Sequence, residues 1–339
     1  MPRTGNPSEF DESVWRKTAD ELRLRAAFTP APPISARMPV SYQTVPAPAR
    51  RMIAGVIGRV QRMRQESWSS YPGWPIDLSA DLAADLANQP SIRFQRTPLL
   101  LSHDIDSLEG LHNLARMFLP IEERVAARSA NYIVPCAWPL DHAILADIEQ
   151  RGHEIGVHGY NHANRTPFVA AAERQERLAS GYALSKRYKI AGYRAPSLLR
   201  TKELLTDLGR FYRYDSSIPT SGGAFPVPNN GCASARPWQL GSLWEIPLSM
   251  PRDGSLKFLG HSPNKIGQIW RHCAEIISRS GGIACLLTHC ESGFSGNVPM
   301  LHVYREFLES IANDSRFEFV RPVDLLDRIE TAEGARAVH

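Results

Sequence analysis

The sequence is poor in cysteine, has no long apolar run and lacks a strong excess of either charge. Five cysteines in 339 residues, odd in number and without a C-x2-C pair, exclude a disulfide scaffold and a cysteine metal site and fit a reducing compartment. The first residues lead into Glu9, Asp11 and Glu12 rather than an apolar stretch, so no secretory leader is expected. The longest apolar runs, such as 98–101 and 283–287, reach about a quarter of the ~20 residues a bilayer span needs. No transmembrane helix is therefore expected, and the location is read as cytoplasmic. The net charge of +4, from 39 Lys plus Arg against 35 Asp plus Glu, is too small for a dedicated nucleic-acid binder. Internal repeats are also absent. What is present is ordinary for a packed globular chain, with 43% hydrophobic and 22% charged residues. The length allows two domains, or one large α/β barrel with an extension.

Residues 13–28 place Val14, Trp15, Leu22 and Leu24 in a helical pattern behind Ser13 as a cap. Six prolines between Pro30 and Pro48 disfavour a helix and predict an extended connector. Over 50–66, Met52, Ile53, Val56, Ile57, Val60 and Met63 recur at helical steps among Arg50, Arg51, Arg59, Arg62 and Arg64, which predicts a basic amphipathic helix. Its apolar face is expected to dock on the rest of the chain in preference to an anionic lipid surface. A short helix is expected around 78–86. From about residue 95 the texture changes to short apolar strands, predicted at 98–102, 131–135, 153–157, 190–193, 212–215, 243–248, 283–288 and 317–320. Between most of them lie amphipathic helices, predicted at 107–128, 140–150, 168–188, 200–210, 264–280 and 299–312. Such alternation predicts parallel β/α units. The Pro- and Gly-rich stretch 216–242 is far longer than an ordinary connection.

Polar clusters follow four of these strands. In Ser102-His-Asp104-Ile-Asp106-Ser107 two carboxylates are separated by one residue and so share a face of a strand, pointing beyond its carboxyl end. Like charges that close need a cation or a proton between them, although Asp106 or Ser107 is equally suited to cap the next helix. In His153-Glu-Ile-Gly-Val-His158-Gly-Tyr-Asn-His162 the four-residue spacing suits two imidazoles on one face of a helical turn, holding one divalent ion. Two imidazoles and one carboxylate leave positions open for water, as in a catalytic site. In Tyr193-Arg194-Ala-Pro196-Ser197 a guanidinium ends a strand and can hold a carboxylate, or simply face solvent before a turn. In Leu287-Thr-His289-Cys-Glu291 an imidazole can act as a general acid, or serve as a hydrogen-bonded residue at the core's edge. Trp138 and Trp238 can stack on a sugar, but ordinary packing is the simpler reading of both.

In order and spacing these motifs resemble those of NodB-like polysaccharide deacetylases (carbohydrate esterase family 4), in the subgroup with an H-D-x-D first motif, over roughly residues 97 to 330. The resemblance implies a distorted (β/α)7 barrel over 96–339 behind a mainly helical N-terminal extension over 1–95. It implies removal of an acyl group, acetyl first, from an N-acylated amino sugar. One divalent ion would serve, Zn²⁺ with Co²⁺, Ni²⁺ or Mn²⁺ as alternatives. It further implies Asp106, His158 and His162 as metal ligands, Asp104 as general base oriented by Arg194, and His289 as general acid. Ser197 would offer a backbone N–H to the oxyanion, and Asp215 would be a remnant of a further motif. The substrate would be nucleotide-linked, lipid-linked or polymeric, in surface-polysaccharide or glycolipid assembly. A non-sugar amide or formamide hydrolase, and an inactive glycan-binding barrel, are the alternatives.

Overall fold

Every residue of Thr97–Ile105 is buried, and this run forms β1, the strand around which the molecule is organised. The computed structural model describes residues 28–29, 31–39, 41–65, 94–220 and 234–337. The expected helices at 13–28 and 78–86 and much of 216–242 lie outside these residues. A strand hidden on both faces reads as a continuous apolar run, which is why Leu99, Leu100 and Leu101 follow one another. The strands β2 (Ser129–Ile133) and β8 (Ala284–His289) flank β1 in parallel. Beyond β2 the parallel order continues through β3 (Glu154–His158), β4 (Ile190–Arg194), β5 (Tyr214–Asp215) and β7 (Leu243–Glu245). Past Glu245 the chain returns to β8. There Met250 N donates to Cys285 O at 3.1 Å, while Ser249 Oγ accepts from Cys285 N at 2.9 Å and donates to Ile283 O at 2.5 Å. Seven parallel strands thus close into a ring whose last seam uses a serine hydroxyl where a regular ladder would run, a distorted (β/α)7 barrel. Two outliers complete the sheet: β6 (Trp238–Leu240), antiparallel to β7, and β9 (Phe317–Phe319), parallel to the start of β1.

The helices sit where the apolar periodicity puts them. In the barrel they are Leu108–Asn113, which passes through a π-turn (Leu114–Phe118) into Leu119–Arg124, then His142–Gln150, Ala171–Tyr182, Lys202–Leu208, Asp253–Phe258, Pro263–Ser280, Val298–Ala312 and Pro322–Ala337. Their ends follow from local chemistry. Ser262 Oγ accepts from Lys265 N ahead of Pro263, and Gly281, at φ +70°, closes the same helix. The expected single helix at 107–128 is interrupted by its π-turn, and the helices at 253–258 and 322–337 were not foreseen.

The proline-rich connector is less extended than expected. It contains a helical turn at Ile34–Arg37 and a 3-10 turn at Tyr42–Thr44. The basic helix, α1 (Ala47–Gln65), tolerates Pro48 in its first turn. It does dock on the barrel, but by the opposite side from the one expected. Gly58 is buried against Phe258, where a Cβ would collide with the backbone carbonyl. Met52, Ile53, Val56, Ile57, Val60 and Met63 all remain exposed. The small side of α1 allows close backbone approach, and that approach leaves the bulky apolar side outward.

Candidate active site

Because the barrel strands are parallel, their carboxyl ends share one rim, and the polar clusters seen in the sequence meet there. Register makes neighbours of Asp104 and His289, of His158 and Arg194, and of Tyr193 and Asp215. Ser107, not Asp106, caps the helix after β1, its Oγ accepting from Gly110 N at 3.1 Å. Asp106 is thereby released to face the rim.

The atoms of Asp106, His158 and His162 that can bind a cation lie within 4.8 Å of one another. Asp106 Oδ1 is 3.5 Å from His158 Nε2 and 3.3 Å from His162 Nε2, and this buried oxygen has no hydrogen-bond partner among the described residues. His158 Nδ1 lies 3.0 Å from Arg194 O, so it donates there and leaves Nε2 bare toward Asp106. The pair is not on a helical turn, as the spacing alone suggested. His158 ends β3, and His162 lies in a loop at φ +58° after Gly159 at φ +67°. Gly159 is required there, since a Cβ would meet the Pro196 ring at 2.5 Å. The bend brings the two ring centroids to 5.1 Å. Burial opposes charge on Asp106, but His162 and His158 outweigh it and hold the carboxyl below its usual range. Burial pushes His162 down to about 4, so its ring is neutral near pH 7.

Asp104, 2% exposed, accepts from Arg194 Nη1 at 3.0 Å. Arg194 is itself fixed on every side. It donates to Ser102 Oγ at 3.0 Å, Ser216 O at 2.8 Å and Ser216 Oγ at 2.9 Å, and stacks over Tyr132 at 4.1 Å. Burial alone would raise the Asp104 pKa, but the neighbouring His158 ring and the Arg194 guanidinium outweigh it and hold the carboxyl below its usual range.

His289 is held in a comparable way by a residue the sequence reading missed. Its Nδ1 is 2.8 Å from Asp253 Oδ1, and its backbone N donates to Asp253 Oδ2 at 2.8 Å. Ser295 Oγ and Gly254 N also donate to Asp253, both at 2.6 Å. Burial works against the charged ring. Asp253 outweighs it, with Asp106 and Asp104 adding, and lifts His289 to about 9. Asp253 lies shortly past the predicted strand 243–248, the same place relative to a strand that marked the other site residues. The break at Pro251 hid it.

The extension supplies further unforeseen neighbours. Tyr42 Oη and Gln43 Nε2 each lie 2.6 Å from His162 Nδ1, and Arg50 bonds Gln43 Oε1. Arg252, anchored to Ser255 Oγ at 2.9 Å, lies in the field of Asp104, Asp253 and Asp106. Glu291 Oε1 accepts from Asp106 N at 3.0 Å and Ser107 Oγ at 2.9 Å, and burial together with Asp106 pushes it up to about 8.

Three expected substrate contacts fare differently. Ser197 lies at the rim at φ +54°, close enough for its hydroxyl to bond Tyr42. Asp215, the register neighbour of Tyr193, is fully buried, and its carboxylate accepts from Ser217 Oγ at 2.6 Å and Ser217 N at 3.2 Å. Trp138 is half-buried and packs against the main hydrophobic core.

No protein-family model matches the sequence, and no curated protein does. Solved structures do. A protein described as a polysaccharide deacetylase from Mycobacterium smegmatis aligns with TM-score 0.55 at 18% identity, over 73% of this chain and 93% of the other. One so described from Pseudomonas aeruginosa gives 0.53 at 14%, over 68% and 89%. Puue allantoinase gives 0.54 at 13%, over 68% and 88%. At these identities the likeness is one of fold, and the chain has the barrel fold of the polysaccharide deacetylases.

Proposed function

We propose that this protein is a metal-dependent hydrolase that removes an acyl group, acetyl first, from an N-acylated amino sugar in surface-polysaccharide or glycolipid assembly. The observation that carries the reading is the pairing of Asp104 with His289. They are register neighbours on β1 and β8 whose surroundings drive their pKa values apart, beside a cluster of two imidazoles and one carboxylate.

Asp106, His158 and His162 fit a divalent ion of borderline character such as Zn²⁺, Co²⁺, Ni²⁺ or Mn²⁺. The unpartnered Asp106 Oδ1 is the atom such an ion would satisfy. When bound, the ion acidifies water and polarises a carbonyl. The remaining chemistry belongs to the chain. Asp104 is ionised and held by Arg194, so it can take the proton of the attacking water. His289 is charged below about pH 9, so it can hand a proton from Nε2 to the departing amine while Asp253 fixes Nδ1. The backbone N–H of Ser197 is offered to the oxyanion, where a single donor is typically worth about 3 kcal/mol. The catalytic unit spans 96–339, with 1–95 as its extension, and the low cysteine content supports a cytoplasmic setting.

A second reading, hydrolysis of a non-sugar amide or formamide, is favoured by one observation: an allantoinase shares this fold as closely as the deacetylases do. Screening metal-loaded and chelator-stripped protein against acylated nucleotide sugars, lipid-linked sugars and sugar polymers separates the two. Metal-dependent acetate release from a sugar supports the leading reading. Release only from non-sugar amides replaces it.

A further inference from the structure

The segment 28–65 is pinned to the barrel's rim on both sides of the cluster. On one side it meets the loops after β3 and β4. Thr29 N donates to Arg200 O at 2.7 Å, and Thr29 Oγ1 accepts from Arg200 N at 3.0 Å. Ser35 Oγ accepts from Asn164 Nδ2 at 3.2 Å, Met38 O accepts from the Arg165 guanidinium, and Gln43 Nε2 donates to His162 O at 3.3 Å. On the other side α1 meets the segments after β7 and β8. Gly58 abuts the backbone at Phe258, Leu259 O accepts from Arg62 Nη1 at 3.4 Å, and Arg51 lies against Gly293.

These two sets of loops face one another across the barrel mouth. In the closed ring, β3 and β4 are separated from β7 and β8 by β5 in one direction and by β1 and β2 in the other. A segment joining them must span the mouth as a strap. Between its anchors lie Tyr42, held on His162, and Arg50, which bonds Gln43 and lies over the Tyr42 ring at 5.7 Å. Tyr42 interacts electrostatically with Asp106 on one side and with Arg252, which leads into the helix after β7, on the other. The crossing therefore passes at the cluster itself and not around the barrel's flank.

We propose that the strap limits the site to a sugar that enters end-first, so the substrate is a monomeric or chain-terminal N-acylated amino sugar and not an interior residue of a polymer. An interior residue continues into the chain on both sides and needs a groove open through the mouth, whereas a terminal one needs room on one side only. Tyr42 and Gln43 are the specificity-determining residues, because they are where the strap touches the site. The proposal rests on the amino-sugar reading, within which it selects nucleotide-linked or lipid-linked sugars over a polymer.

The test uses full-length, metal-loaded protein with N-acetylglucosamine, chitobiose and fully N-acetylated chitopentaose. Calorimetry reads binding, and mass spectrometry reads the position of any acetyl group lost. Wild type is expected to bind the pentamer no more tightly than the disaccharide and to release acetyl only from a terminal residue. Gly58→Leu, which loosens α1 at a distance from the cluster, is expected to gain affinity for the pentamer by about tenfold or more and to deacetylate interior residues. Tighter binding of the pentamer by wild type, or loss of its interior acetyl groups, overturns the proposal, and these wild-type results decide even where the variant fails to fold. A folded Gly58→Leu protein with a protease-sensitive strap and the wild-type preference overturns it as well. Binding is read without turnover. Protein that binds sugars by their ends but releases no acetate refutes only the hydrolase reading, active protein that works on interior residues refutes only this proposal, and absence of binding by every sugar refutes the amino-sugar reading and this proposal with it.

Discussion

Replacing Asp253 with Asn removes a charge without removing bulk, and its effect should appear first on His289. The ring's usual value is 6.5, and in the fold it is lifted to about 9 against the penalty of burial. At roughly 1.4 kcal/mol per tenfold change in proton affinity, the surroundings favour the imidazolium by about 3 kcal/mol, with Asp253 as the largest favourable contributor. Asp253→Asn keeps the hydrogen-bond geometry at Nδ1 available but loses the largest raising charge, so the midpoint should fall well below the wild-type value of about 9. The assay is an NMR titration of histidine-labelled, metal-free protein, following the His289 ring. The sign for stability follows from the same values. A folded-state pKa above the unfolded one contributes stability that is fully present below about pH 6.5 and is lost as the pH rises through about 9. Wild type should therefore lose up to about 3 kcal/mol across that window, and Asp253→Asn much less. A wild-type midpoint near 6.5, or one that Asp253→Asn leaves in place, would refute the reasoning.

Asp104→Asn and His289→Ala should each retain the bound metal while lowering hydrolysis by about 10² to 10⁴, measured as single-substrate turnover against metal content. Near-normal turnover in either variant removes that residue from the mechanism. Tyr42→Phe should weaken metal affinity by roughly 10- to 100-fold in a chelator competition, because it deletes the hydroxyl that steadies His162 Nδ1; unchanged affinity shows that the contact is incidental. Gly58→Leu should detach α1 from the barrel and expose residues 47–65 to early proteolysis, since no side chain fits against the Phe258 carbonyl; a protected helix in that variant contradicts the docking geometry.

The parts of the fold legible in the sequence are those governed by one local rule. Leu99-Leu-Leu and Ala284-Cys-Leu-Leu read as strands because strands buried on both faces need no polar alternation. The polar residues immediately after them were legible as a rim because parallel strands end together. Features set by tertiary contact were not. His162 reaches Asp106 through left-handed backbone at Gly159 and His162, which a four-residue spacing cannot distinguish from a helical turn. Tyr42 lies in a proline-rich stretch whose local chemistry says nothing of a partner 120 residues away. The periodicity of α1 correctly gave a helix and an apolar face. Which face docks was decided by the close approach that Gly58 permits, a packing fact rather than a hydropathy one. Asp215 carried the residue type of a site group, yet it is fully buried and its carboxylate is taken up by Ser217.

The most direct test of the account is a calorimetric titration of chelator-stripped protein with Zn²⁺, in wild type and in His158→Ala. The arrangement of Asp106, His158 and His162 predicts one ion per chain in wild type and loss of that binding in the variant. Failure of wild type to bind, or unchanged binding by His158→Ala, would contradict it.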